Sequence, residues 1–282
     1  MKIKIITLIA SILYTSLSLS SVNAEDKWNG DHYEKHSHMQ QESAFALLKT
    51  ITFKGNESVL DIGCGDGKIT ATIAKQVPQG HVVGLDISPN MIHTAQQTFV
   101  DRNNLCFIVA DANDFILNPK FNYVFSFYAL HWVSDLASSL KSIKNVLRPG
   151  GKAFIKIGTT QDNCPIQSFF NNLDPNGKWG AAKAGRKKTF HGDTTAEKFS
   201  LALESAGFKN KNVQIIYESF FYENFDALTL WFMGWVPHCI QLGQEKSLEF
   251  CQELVEHLYV QNHKQKHESF IFTFPILQAE AW

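Results

Sequence analysis

The run Val59-Leu60-Asp61-Ile62-Gly63-Cys64-Gly65-Asp66-Gly67 joins a carboxylate to three glycines at alternate positions. Glycine permits positive φ and lets a ligand approach without meeting a Cβ. The amides of such a loop, and of the helix after it, can cradle a polar ligand. A Gly-rich turn alone is shared by many dinucleotide and nucleotide sites. Asp86 adds to it, lying 21 residues beyond Gly65. An acid at that distance is where an adenosine ribose diol finds its acceptor. Asp111 closes another apolar run, where a carboxylate or its neighbouring amide can meet an adenine edge. His131 is the residue to act as base on a phenol, thiol or amine. Its plainer reading is a satisfied histidine at a strand end.

These residues need strands to carry them. Val59 to Ile62, His81 to Ile87 and Cys106 to Ala110 read as strands, and each places its carboxylate near its C-terminal end. That is the edge where open α/β sheets bind ligands. Ser88-Pro89 opens a helix with Ile92, Ala95 and Phe99 on one face. Val124 to Phe127 is a fourth strand, and Asp135 opens a helix with Leu136, Leu140, Ile143 and Leu147 on one stripe. Arg148-Pro149-Gly150-Gly151 reads as a turn before a fifth strand, Lys152 to Ile157. Thr194-Thr195-Ala196-Glu197 is a capping box for a helix that stops at Gly207. Val213 to Phe221 and Phe270 to Leu277 complete seven strands. Strands alternating with helices predict an α/β fold whose mainly parallel sheet is covered on both faces.

Asp61-Ile62-Gly63-Cys64-Gly65-Asp66-Gly67, Asp86, Asp111 and Leu147-Arg148-Pro149-Gly150-Gly151 together resemble the ordered motifs of class I S-adenosylmethionine (SAM) methyltransferases. The resemblance covers residues 30 to 160 well and the remainder loosely. It implies a Rossmann-like seven-stranded sheet with the last strand antiparallel, and SAM as cofactor. It also implies that the glycine loop, with Asp61, Gly63, Cys64 and Gly65, holds the methionine part of SAM. Asp86, with Ile87 beside it, would hold the ribose hydroxyls, and Asp111 with Ala112 would lie beside the adenine. Ser126 to Val133 and Tyr33 to Gln40 resemble the juvenile-hormone-acid and trans-aconitate type of small-molecule carboxyl methyltransferases. In the hormone-acid branch, the positions matching Gln40 and Trp132 hold the substrate carboxylate next to the methyl group. Without that resemblance, Gln40 reads as a surface residue of an N-terminal helix and Trp132 as a pocket-rim or core residue.

A carboxylate with a pKa near ~4 is already ionised at neutral pH and needs no base. The enzyme must desolvate it, aim one oxygen and exclude water. An amide and an indole N–H fix a carboxylate without neutralising it. The expected reaction is therefore in-line methyl transfer to a carboxylate oxygen of a small, partly apolar acid, with Gln40, His131 and Trp132 facing the acceptor. Two alternatives stay open: a nicotinamide-dependent oxidoreductase, and a non-catalytic SAM-binding interaction protein. Against the first, the loop runs Gly-x-Gly-x-Gly and carries Asp61, where a pyrophosphate site expects no acid.

The 282 residues, 44% of them hydrophobic, suit one large α/β domain with a cover. A formal net charge of −1 gives no reason to expect a nucleic-acid partner. Cover segments are expected at residues 28–45, 164–191 and 226–262. In the second, Lys178, Lys183, Arg186, Lys187 and Lys188 read as a solvated loop or as a lid for an anionic acceptor. In the third, Trp231 to Pro237 is aromatic and divides between core and pocket lining. Residues 1–24 have a basic start, an apolar run from Ile5 to Leu19 and the small-residue site Val22-Asn23-Ala24. That is a signal-peptide pattern, so residues 25–282 would be the mature domain, exported and without stable membrane insertion. Cytoplasmic residence is the alternative, because SAM is made inside cells. The five cysteines lack metal-like spacing, and Cys239 and Cys251 are the pair to consider for a disulfide. Acceptor identity and oligomeric state are not written in the chain.

Overall fold

The computed structural model describes residues 37–118, 120–159, 164–185, 194–240 and 242–282. The leader, Tyr33 to His36 and Arg186 to His191 lie outside them. The described chain begins with α1 (His38–Leu48), β1 (Ser58–Ile62), α2 (Lys68–Gln76), β2 (His81–Asp86), α3 (Pro89–Thr98) and β3 (Leu105–Val109). It continues through β4 (Phe121–Phe127), a 3-10 turn (Leu130–Trp132), α4 (Leu136–Val146) and β5 (Leu147–Gly158). Then come α5 (Pro165–Asn172), α6 (Gly180–Gly185), α7 (Ala196–Ser205), β6 (Lys211–Tyr222), α8 (Phe225–Met233), α9 (Val236–Cys239), α10 (Gln244–Gln261) and β7 (Phe270–Ala281). The seven strands lie in the order β3-β2-β1-β4-β5-β7-β6. Only β7 runs against its neighbours.

Local chemistry explains most boundaries. Ser88 caps α3 by accepting from the Met91 amide, and Asp135 caps α4 by accepting from Ser138. The cap of α7 is Thr195, one residue later than a Thr194–Glu197 box would place it. Glu197 thus falls one position short of the box partner's place. Gly207, at φ 95°, ends that helix. The expected turn at Arg148 to Gly151 falls within the span of β5, where Gly150 takes φ 77° and the register shifts against β4 between Phe121 and Tyr123. The irregularity is a bulge that takes up the extra residues.

Both sheet faces are covered. Leu136, Leu140 and Ile143 of α4 and Phe199 and Leu203 of α7 bury one face. Ala44 and Leu47 of α1 and Ile73 and Ala74 of α2 bury the other against Phe125, Phe127 and Phe154. A separate apolar core joins α5, α8 and α10 to the far ends of β6 and β7, where Phe220, Phe270 and Phe272 lie. The order reverses between β1 and β4, which makes a crevice at the C-terminal ends of those strands, the usual ligand position in such sheets.

Candidate cofactor and acceptor site

A cavity of about 310 Å³ occupies this crevice, lined by Gly63, Gly65, Asp86, Ile87, Asp111, Ala112 and Trp132, among others. That volume is at the lower end of the range for small-molecule sites. Of the residues singled out in the sequence, Asp61, Cys64, Gln40 and His131 are not on this wall.

The glycine loop works differently from the expectation that its amides cradle a ligand. Gly63 and Cys64 donate their N–H groups to the Leu85 carbonyl at 2.7 and 3.0 Å, and Gly67 donates to Cys64 at 3.0 Å. Gly65 donates to Asp86 Oδ2 at 2.9 Å. Three of these amides hold the loop to β2 and the fourth closes a turn within it, so the loop offers a ligand its shape. At Gly63 (φ 72°), an added Cβ would lie 2.1 Å from the Ala129 methyl. Glycine there lets the β1 loop and the β4 loop close on each other.

Asp86 accepts from Gly65 through one oxygen and from Ser88 through the other, both at 2.9 Å. A carboxylate has about four acceptor positions, and these bonds use one on each oxygen. Asp111 Oδ1 accepts from both the backbone and the side-chain nitrogen of Asn113 at 2.8 Å. Asn113 Oδ1 in turn receives the Asp135 amide. Asn113, on the cavity wall, was not singled out in the sequence, although an Asp-x-Asn step at a strand end is a turn signal.

Asp61 and Cys64 stand behind the wall. Asp61 Oδ2 accepts from the Thr70 hydroxyl at 2.6 Å. Burial lifts its carboxyl to about pKa 7; the Thr70 bond opposes this and the Asp86 charge adds to it. The Cys64 thiol is pushed far up, first by burial and then by Asp86 and Asp61. It is no nucleophile at neutral pH. Cys239 and Cys251 carry thiols, as do the other three cysteines.

The acceptor side is built around Tyr128, which has φ 56°, an uncommon conformation for an aromatic residue. Its Oη lies 2.8 Å from Ser43 Oγ and 3.1 Å from Glu218 Oε2. Burial, then the Glu218 charge, holds the phenol far above its usual pKa. Lys156 is fully buried, and its ammonium donates to Glu218 at 2.6 Å and to Ser43 Oγ and O at 3.0 Å. One buried network thus ties α1, the β4 loop, β5 and β6 together. Trp132 sits on the 3-10 turn with its amide on the Ala129 carbonyl. The buried His131 ring lies 5.1 Å from it, centroid to centroid. Gln40 is half-buried on α1.

The basic stretch is partly spoken for. Lys178 pairs with Glu249 and Glu253 of α10, and Lys183 donates to the Leu173 carbonyl at 2.7 Å. Both hold α6 and its approach to the cover. Arg186, Lys187 and Lys188 lie outside the described residues.

Strand order, the reversal beside the glycine loop and the single antiparallel strand define the Rossmann-like methyltransferase class of fold. Residues 59–151 match the methyltransferase domain family, and the chain is a SAM-dependent methyltransferase. Protein 235L of Invertebrate iridescent virus 6, which carries a methyltransferase name, is 27% identical over 81% of this chain and 84% of its own. Juvenile hormone acid O-methyltransferase of Drosophila melanogaster is 30% identical over 62% of this chain and 61% of its own length. The fold superposes on Haemonchus contortus phosphoethanolamine N-methyltransferase 2, solved with SAM, at a TM-score of 0.60 and 18% identity, over 95% of this chain and 60% of that one. The cavity fits SAM. It offers a carboxylate at the end of β2, an Asp–Asn pair at the end of β3, and the apolar Ile87 and Met91 between them.

Proposed function

We propose that the chain methylates a carboxylate oxygen of a small, partly apolar acid. The observation that carries this is the absence of an available base among the described residues lining the cavity. Asp86 and Asp111 serve the loop and Asn113. The Tyr128 phenol is held protonated by burial, and His131 is not on the wall. A phenol, thiol or amine would need a base there, whereas a carboxylate arrives ionised. SAM, when bound, supplies a methyl group on a sulfonium. In this reading Asp86 holds its ribose hydroxyls, and Asp111, Ala112 and Asn113 meet the adenine. Trp132 and the Gln40 amide fix the acceptor carboxylate, and the aromatic cover excludes water. The hormone-acid relative named above is, by its name, a methyltransferase of an acid, which supports the carboxylate reading.

The test uses SAM labelled in the methyl group, with panels of carboxylic acids, phenols, thiols and amines. The expected product is an ester whose label alkali releases as methanol. An alkali-stable product from a phenol, thiol or amine, with carboxylic acids inert, would overturn the assignment. Trp132→Phe should slow ester formation about tenfold, the loss of one hydrogen bond, with SAM affinity unchanged by calorimetry. Equal losses in both would make Trp132 structural. We also propose that residues 1–24 are a cleaved leader and that the protein is exported, on the pattern of that segment. N-terminal sequencing of protein from its producing cells tests this, and a chain beginning at Met1 would refute it.

A further inference from the structure

Four buried polar side-chain atoms find no partner among the described residues in one region of the molecule. They are Gln40 Oε1 on α1, Tyr222 Oη at the end of β6, Trp231 Nε1 on α8 and Trp235 Nε1 at the start of α9. The Tyr222 and Trp231 rings lie 5.8 Å apart, and those of Trp231 and Trp235 5.6 Å apart. Trp231 is only 4% exposed. Folded proteins rarely leave buried donors unpaired, because each such group forfeits its hydration without return. Three adjacent ones call for a ligand.

The surroundings connect this cluster to the cavity. Trp231 belongs to the apolar core that includes Met39, Phe232 and Phe272, and Tyr128 and Trp132 of the cavity wall pack against that same core. The donors thus share one core with that wall, and Tyr222 stands within electrostatic reach of the Tyr128 phenol. Their chemistry narrows the ligand. An indole N–H only donates, and a phenol donates readily. All three are uncharged, and the charge that acts on the Tyr222 phenol is the negative Glu42. Among the described residues no cation is seen to act on the Tyr222 phenol, so a second carboxylate buried here would go uncompensated by them. A neutral oxygen needs none.

We infer that Tyr222, Trp231 and Trp235 form a second acceptor subsite that binds a neutral carbonyl or ether oxygen at the end of the acceptor remote from the methylated carboxylate. This rests on the carboxylate reading above. An acceptor lacking that oxygen leaves three donors unpaired, which is the strong form of discrimination. Gln40 belongs to the first anchor. Its amide oxygen and nitrogen exchange on a flip, which turns the buried position from acceptor to donor.

The test compares a straight-chain fatty acid with the same acid bearing a ketone near its far end, using the full chain. The wild type should favour the keto acid by at least about tenfold in kcat/KM. Tyr222→Phe removes only the hydroxyl. It should cut that preference by about three- to tenfold, through KM for the keto acid. The plain acid and SAM affinity should be unaffected. No preference in the wild type, or equal changes for both acids, would overturn the subsite. A lower Tm with the preference intact would overturn it too, by assigning the donors to internal water. Calorimetric binding of a medium-chain ketone, which cannot be methylated as an acid, separates this failure from that of the carboxylate reading. Binding at least threefold weaker in Tyr222→Phe is expected, and equal binding in the two proteins refutes the subsite even where no acid is methylated.

Discussion

Asp61→Asn should make the protein more stable at pH 8 and remove the part of the pH dependence between 4 and 8 that this carboxyl contributes. The wild-type carboxyl, buried behind the glycine loop, has a folded pKa of about 7 against an ordinary 3.8. An acid whose pKa is raised by folding favours the native state below its unfolded pKa. That contribution is lost as pH rises through the folded value. The gap between 3.8 and about 7 is worth at most about 4 kcal/mol above pH 7. Asparagine keeps the volume and keeps an acceptor for the Thr70 hydroxyl, which now bonds Asp61 at 2.6 Å. It removes only the cost of burying a charge. The assay is urea unfolding without SAM, in half-unit steps from pH 4 to 8, for both proteins. The variant's advantage should be small at pH 4 and should grow to a few kcal/mol by pH 8. A constant offset across that range would refute the reasoning, because it would mean that Asp61 does not titrate within it.

Two further outcomes follow from the same network. Asp86→Ala strips the Gly65 and Ser88 amides of their acceptor and removes the carboxylate proposed for the ribose; SAM affinity by calorimetry should fall about a hundredfold or more. Near-normal affinity would sink the assignment of Asp86 to the cofactor. Lys156→Met leaves Glu218 without its 2.6 Å partner and should cost about 3–5 kcal/mol. Adding Glu218→Gln should recover part of that loss in thermal melts, and additive losses would show that the two residues act apart.

The cofactor half was legible because its signals are local. A strand, a carboxylate and a glycine turn lie within ten residues of one another, and Asp86 follows at a fixed distance. What those residues do in detail was less legible. The loop amides turn inward to Leu85 and Asp86, a choice that depends on how close β2 lies. Lys156 read as one residue of a strand; its partner Glu218 lies 62 positions away, and no periodicity links them. Tyr128 takes a positive φ without the glycine that would announce it. The aromatic run Trp231 to Pro237 was visible, but unpaired indole donors exist only once the helices have packed. Capping shifted by a single residue, from Thr194 to Thr195, since either hydroxyl can serve.

The ribbon formed by β6 and β7 has a wider consequence. β7 pairs with β5 from Ile276 to Ala281 but with β6 from Phe270 onward. Two strands therefore continue past the sheet as a stalk, and α8, α9 and α10 hang between its ends. Those helices enter and leave the chain at one place, after every strand that borders the cofactor crevice. Trp231 and Trp235 thus belong to one continuous helical segment between the two strands. A change confined to the residues between β6 and β7 would therefore remodel this apolar core without touching any strand that borders the cofactor crevice.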